Sequence, residues 1–493
     1  MFDDDACYEA LRANDARFDG LFFVGVSSTG IYCRSVCPAK LPKRENCTFF
    51  PTAAAAEAAG YRPCLKCRPE LAPGQPATLE MDELAARAAA ALRDGSASSV
   101  AALAASLGVS ERHLRRVFEA TWGVSPVRYR TTCRLLLAKS LLTETDLPVA
   151  QVARACGFSS TRRFEEAFGA SYRLAPGRFR RQLAADGAAR TGAADGAAAG
   201  SVSFLLGYRA PYRYDELLAF LRFRAIEGVE SVSDGVYKRT VRIGKSVGWI
   251  AVRNRPERSA LELTVSESLY GHLPLVTAKA RLLFDTDCDP RLIDEGLAGF
   301  HDRTGGAFRL EGVRLPCSFD GFEMTVRAIL GQQITVKAAN TLAGRVAAAF
   351  GTSLVSAGAP APFEELSTLF PAPAAFCTAG AAERLGELGV IRQRARSICA
   401  VAEKLEAGAL ELRPGADVEA NAEALLDVPG IGPWTVQYAL MRAFAYPDAF
   451  PAADYAVKHA FPGLAPREIE ALSRAWSPLR SYAVMSLWSE PLG

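Results

Sequence analysis

The chain has 493 residues, 49% apolar and 23% charged, which fits two to four domains with ordinary cores. No apolar run reaches 18 residues without a charge, so a membrane-spanning helix is excluded. The net charge of +3 is unevenly placed: residues 100–181 hold 14 Lys/Arg against 6 Asp/Glu, whereas 1–99 and 201–493 each stand at −2. That middle segment carries the positive field expected of a piece that meets a polyanion. The start, MFDDDACYEA, lacks the basic end and apolar core of a secretory signal, and a cytoplasmic location is expected.

Two cysteine pairs come first, Cys33-x3-Cys37 and Cys64-x2-Cys67. In a reducing compartment such pairs favour metal over disulfides, and four soft ligands suit one tetrahedral zinc. The spacing alone fits a zinc that only holds the fold as well as one whose thiolates react. Cys7 and Cys47 read as buried small apolar residues. Thr29, Lys40, Lys43 and Arg44 are candidate phosphate contacts, or else solvated surface groups. A soft boundary at Pro73–Pro76 precedes a helical stretch expected from Leu79 to Arg93.

The basic segment holds a weak duplication, Ser99–Ser110 against Pro148–Ser159. Each copy runs apolar residues at helical spacing into a glycine (Gly108, Gly157) and then a serine able to cap a second helix. The second helices would bury Leu114, Val117 and Phe118 in one copy, Phe164 and Phe168 in the other. They would expose Arg112, Arg115 and Arg116, and Arg162 and Arg163, to phosphates or base edges of double-stranded DNA. A longer helix, about Pro126 to Leu142, joins the copies.

After an Ala/Gly linker (184–203), residues 204–290 mix alternating runs with a helical one, an α+β pattern, and 291–493 read as nearly all helical. Within the latter, PGIGP places Gly430 and Gly432 at a helix start, where amide N–H groups suit phosphate; a tight turn explains the same residues. Asp454 follows Trp434 by 20 residues.

Residues 19–69 (GLFFVGVSSTGIYCRSVCPAK, REN, GYRPCLKCRP) resemble the N-terminal domain of the Ada adaptive-response family. The resemblance implies one Zn²⁺ on Cys33, Cys37, Cys64 and Cys67, and methyl transfer to Cys33 from DNA methylphosphotriesters. Residues 79–182 resemble AraC-type DNA-binding modules. Residues 204–489 resemble helix-hairpin-helix DNA glycosylases of the 3-methyladenine DNA glycosylase II type, through MTVRAILGQQITVKAA and LLDVPGIGPWTVQY among others. This implies Asp454 as the catalytic carboxylate and Trp434, Tyr438, Tyr455, Trp488 and Phe220 around a base pocket. Their ring faces suit cationic alkylated purines. DNA contacts would come from Gln333, Gly430, Gly432 and Thr435, with Gln333 standing where that family has an aliphatic wedge.

Trp434 occupies the position of the Schiff-base lysine in endonuclease III-like relatives, and an indole cannot form one, so base release without strand cleavage is expected. Ala453 stands where close relatives carry another acid. The resemblance also implies a monovalent cation at the hairpin. The absence of cysteine after Cys399 excludes the iron–sulfur cluster of some relatives. The glycosylase half stands where Ada-type chains usually carry an alkylguanine methyltransferase domain.

The expected architecture is multidomain and mainly α: a small four-cysteine zinc α/β domain (1–76), a double helix-turn-helix (77–183), the linker, an α+β domain (204–290) and a helix-hairpin-helix domain (291–493). The expected function is alkylated-base excision coupled to a methylation-switched activator acting as a monomer on alkylated and promoter DNA, with RNA polymerase as a further partner. The alternative is a zinc-dependent activator whose glycosylase half only binds DNA.

Overall fold

The chain divides into two units, Met1–Ala210 with Arg255–Ala278 and Pro211–Asn254 with Lys279–Gly493. This computed structural model describes residues 3–76, 83–185 and 200–489. The stretch 204–290 has residues in both units.

In the first unit, α1 (Asp4–Arg12) is capped by the Asp3 carboxylate, which accepts from the Ala6 N–H. Strands β1 (Phe23–Val26), β2 (Ile31–Arg34) and β3 (Cys47–Phe50), helix α2 (Ala53–Ala58) and strand β4 (Arg62–Pro63) form a sheet of order β3-β1-β2-β4. β1 runs antiparallel to β2 and β3, while β2 and β4 are parallel, with Tyr32 opposite Pro63. The backbone at Gly25 lies so near the Phe50 and Tyr61 rings that a Cβ would meet both at 2.8 Å.

Helices α3 (Glu83–Asp94), α4 (Val100–Ser106), α5 (Glu111–Trp122), α6 (Pro126–Glu144), α7 (Val149–Ala155), α8 (Thr161–Tyr172) and α9 (Pro176–Ala185) follow. The start of the expected helix Leu79–Arg93 lies outside the described residues. Gly108 and Gly157 make the two turns with φ of +70° and +79°, which an L side chain resists. Ser110 caps α5 as expected, but α8 is capped by Ser160 instead of Ser159, whose hydroxyl accepts from Arg163. The i, i+4 rows Leu114/Phe118 and Phe164/Phe168 are buried, and Val117 is half-buried.

The four-strand sheet and the helices share one core: Ala54 and Ala55 of α2 pack with Leu92, Leu103, Leu114, Phe118 and Trp122. Polar ties run from the sheet to α6. Glu57 accepts from Thr132 Oγ1 at 2.9 Å and Tyr32 Oη at 3.1 Å, and Lys139 Nζ donates to the Cys64 carbonyl at 3.3 Å and to the Glu70 carboxylate. Arg68 bridges Glu70 and Glu144. Burial alone would raise the Glu70 carboxyl, but Lys139 and Arg68 outweigh it and hold the group below its usual value.

Removing Lys139 leaves the buried Glu70 carboxylate compensated by Arg68 alone, so Lys139→Met is expected to cost about 3 kcal/mol in chemical denaturation, the low end for a broken buried pair. The depressed carboxyl also sets a sign with pH. Its stabilisation is complete above the unfolded value near 4.5 and is lost as pH falls below it, a loss Glu70→Gln should blunt.

The expected linker 184–203 is entered by α9 up to Ala185 and by β5 (Ser201–Gly207) from Ser201; residues 186–199 lie outside the described residues. α10 (Tyr214–Phe223), β6 (Glu230–Ser233), β7 (Val236–Ile243), β8 (Ser246–Arg255), β9 (Ala260–Ser266) and α11 (Leu273–Leu283) come next. In the first unit, β5 pairs antiparallel with β9, Leu205 and Ala260 cover Leu71, and buried Arg209 donates to the carbonyls of Asp19 and Gly74 at 2.8 and 2.7 Å.

In the second unit β6, β7 and β8 form an antiparallel meander. The remaining helices are α12 (Pro290–Gly296), α13 (Ala298–Arg303), α14 (Gly321–Leu330), α15 (Val336–Phe350), α16 (Ala381–Glu387), α17 (Arg392–Glu406), α18 (Val418–Leu426), α19 (Pro433–Arg442), α20 (Tyr455–Ala460), α21 (Pro466–Ser473) and α22 (Arg480–Ser489). The largely apolar α14 is buried over Phe322–Met324 and Ala328–Leu330 and packs on α15, α17 and α19. This places the α14–α15 loop and the α18–α19 hairpin on one core. Among the described residues no helix is long and apolar enough to cross a membrane.

Candidate functional site

Cys33 sits at the third position of β2, and Cys64 follows β4, its N–H donating to the Tyr32 carbonyl at 3.0 Å. Parallel pairing of β2 with β4 thus converts two distant motifs into one cluster. The sulfurs of Cys33, Cys37, Cys64 and Cys67 all lie within 4.8 Å of one another. A zinc with bonds of about 2.3 Å in a tetrahedron needs sulfurs roughly 3.8 Å apart, so the cluster fits one such ion. Cys7 and Cys47 are buried outside it, as expected.

The four thiols are not equivalent. The Arg34 N–H donates to the Cys67 sulfur at 3.4 Å. Cys33 is surrounded chiefly by the other three sulfurs. Cys37 is the most exposed of the four, whereas Cys33 is only 9% exposed.

Around the cluster, Thr29 and Lys40 are exposed. Lys43 pairs loosely with Glu45 at 3.5 Å, and Arg44 is tied to Asp4 and Asp5 and lies over the Tyr8 and Phe49 rings. On the paired helices Arg112 is exposed, Arg115 pairs with Glu111, Arg116 bonds His113, and Arg162 pairs with Glu166.

In the second unit, Asp454 is half-buried at the start of α20, where its Oδ1 accepts from the Ala456 N–H at 3.0 Å. The same carboxylate accepts indole N–H bonds from Trp488 (Oδ1, 3.0 Å) and Trp434 (Oδ2, 3.1 Å). It is therefore both a helix cap and the hub of an aromatic cluster. Trp434 stacks on Tyr438 at 5.3 Å, Tyr438 meets Trp488 at 5.7 Å, and Trp488 stacks on Phe220 at 6.3 Å. Tyr455, expected in this group, instead stacks on His459 and is 68% exposed.

Sequence reasoning missed the cations behind the rings. Arg224 lies 3.7 Å from the centre of Phe220, and Arg442 lies 4.9 Å from Phe220 and 5.8 Å from Tyr438. Both follow their aromatic by four residues on a helix, a spacing that could have revealed them. Burial raises the Tyr438 hydroxyl, but Arg442, Arg224 and Arg327 outweigh it and bring it below its usual value. Burial and the neighbouring Arg442 and Arg327 push Arg224 down to about 10, against an opposing pull from Tyr438. Among the described residues no cation covers Trp434 or Trp488, unlike Phe220 and Tyr438.

The hairpin Val428–Pro433 joins α18 to α19. Gly430 has φ +92°, and a Cβ there would meet Gln393 and Ser397 at 2.7 Å. At Gly432, the N-cap of α19, a Cβ would meet nothing within 4 Å, so this glycine answers no internal crowding and leaves the helix start open to a partner. Thr435, expected to face DNA, is buried and accepts at Oγ1 from Gln332, which also donates to the Gly430 carbonyl. Gln332 thereby ties the α14–α15 loop, where the wedge was expected, to the hairpin. Next to it, Gln333 is exposed with φ +54°, a left-handed conformation uncommon for such a residue. The Pro429 carbonyl accepts from Gln393 and Ser397 at 2.7 Å.

Four family models match the chain: metal binding domain of Ada (6–70), helix-turn-helix domain (103–182), AlkA N-terminal domain (203–320) and HhH-GPD superfamily base excision DNA repair protein (326–467). A probable bifunctional transcriptional activator/DNA repair enzyme AlkA of Mycobacterium tuberculosis is 37% identical over 99% of this chain and 97% of its own length. DNA-3-methyladenine glycosylase 2 of Escherichia coli is 34% identical over 58% of this chain and 96% of its own. The Escherichia coli bifunctional activator/repair enzyme Ada is 37% identical over 27% of this chain and 36% of its own.

Proposed function

We propose that this chain, which belongs to the family of AlkA-type bifunctional transcriptional activators/DNA repair enzymes, excises alkylated purines from duplex DNA with Asp454 and senses methylated phosphates with Cys33. The observation that carries the first half is the Asp454 carboxylate held by two indole N–H groups within a stack of four aromatic rings.

Breaking an N-glycosidic bond builds positive charge on the sugar. A flipped nucleotide lying against Trp434 and Trp488 would present that sugar to Asp454, which stabilises the charge and can take a proton from attacking water. The base leaves with its electron pair, water supplies the new C–O bond, and the strand stays whole because Trp434 offers no amine. Gln333 would fill the vacated stack, and the N–H groups at Gly430 and Gly432 would hold a phosphate. A monovalent cation on hairpin carbonyls belongs to this reading. The test is whether free alkylated purine appears while the strand remains uncut.

Zinc on the four cysteines supplies thiolates at neutral pH. In the sensing half, the Cys33 sulfur attacks the methyl carbon of a neutral phosphotriester; the S–C bond forms, the C–O bond breaks, and a phosphodiester anion leaves. The site's formal charge then rises from −2 to −1, which weakens its repulsion of phosphate. One unit charge at close range is worth about 1 kcal/mol even in water, so methylated protein is expected to bind duplex DNA roughly 5-fold tighter at low salt. Equal affinities by fluorescence anisotropy would sink the switch. Promoter DNA and RNA polymerase are the partners of this half, with a single chain as the acting species.

A further inference from the structure

Beside the wedge loop, α10 and α15 border an open groove of about 1110 Å³ in the second unit. Its walls include Arg222, Lys337 and Arg345, against one acid, Glu227. Phe223 projects there with 57% of its surface exposed, and its carbonyl is pinned by Asn340 Nδ2 at 2.6 Å. Among the described residues neither Arg222 nor Lys337 has an ion-pair partner. Unpaired cations around an exposed aromatic are poor packing but suit a strand that offers phosphates to one and a sugar or base to the other. The groove's lining lies close in sequence to the expected DNA face: Lys337 is four residues beyond Gln333, and Phe223 is three beyond Phe220.

We propose that this groove is a second DNA-backbone seat, in which Arg222 and Lys337 hold phosphates and Phe223 packs on the strand, on the flank of the wedge loop not tied to the hairpin. Hairpin and groove would then grip the duplex on both sides of Gln333 and share the cost of extruding the base. The inference rests on the glycosylase reading, and its tests separate the two.

Lysine acetylation of the full chain, read by peptide mass spectrometry with and without a saturating duplex that carries an abasic-site analogue, needs no catalysis. Lys337 is expected to be protected, and Lys245, on the β7–β8 turn, to stay reactive. Equal reactivity of Lys337 in free and bound protein overturns the proposal whatever the fate of the enzyme reading.

Single-turnover base release gives the second test. Arg222→Ala with Lys337→Ala is expected to raise the half-saturating protein concentration roughly 10-fold and to lower the slope of log affinity against log salt by about 2, with the saturating rate kept. Phe223→Ala is expected to raise half-saturation roughly 5-fold at unchanged slope. Arg303→Ala, on α13 away from the groove lining, controls for charge alone. A double variant that matches this control in slope and half-saturation overturns the groove assignment.

Discussion

Cys33→Ser is expected to abolish uptake of methyl groups from DNA carrying methylphosphotriesters, with the fold of the first unit largely kept. A serine hydroxyl stays protonated at neutral pH and cannot replace a thiolate as nucleophile. Three sulfurs remain to hold the metal, so zinc affinity should fall while circular dichroism in excess zinc stays near the parent's. The sharper readout is the position of the methyl group in the parent. Trypsin cuts after Arg34 and after Lys40, placing Cys33 and Cys37 on separate peptides. The proposal of Cys33 as acceptor places the 14 Da increment, on the order of one methyl per chain, on the peptide ending at Arg34. An increment on the Ser35–Lys40 peptide would move the acceptor to Cys37, the most exposed of the four.

Asp454→Asn is expected to lower the single-turnover rate of base release by roughly 10³-fold, the scale of losing one preorganised electrostatic partner of the transition state. With the amide oxygen in the Oδ1 position the bonds from Ala456 and Trp488 are kept and only Trp434 faces an NH₂, so stability should fall by only about 1–2 kcal/mol. DNA binding should be retained, because the hairpin and wedge loop are untouched. A variant as active as the parent would move catalysis to another residue. A variant that fails to fold would show that the cap and indole bonds matter chiefly to structure, and Asp454→Glu, which keeps the charge, would then distinguish the two roles.

Sequence periodicity revealed both helix-turn-helix copies, because Leu114/Phe118 and Phe164/Phe168 follow local rules that burial obeys. The four-cysteine cluster was legible from its paired spacing, although only the parallel β2–β4 register explains how the pairs meet. Other features are long-range and left no local mark. Lys139 reaches Glu70 across 69 positions, and Glu57 finds Thr132 across 75. Adjacent serines hid which one caps α8. Thr435 sits in a motif expected to meet DNA, yet its hydroxyl turns inward to Gln332. Tyr455 follows Asp454 directly, but the first turn of α20 points it to solvent.

A monofunctional glycosylase joined to a methyl sensor in one chain is tested most directly by product analysis on methylated duplex DNA. The full chain should release free 3-methyladenine and leave a strand that is intact until alkali cleaves it at the abasic site. Absence of free base from folded, DNA-binding protein, or a strand cut without alkali, would contradict the account.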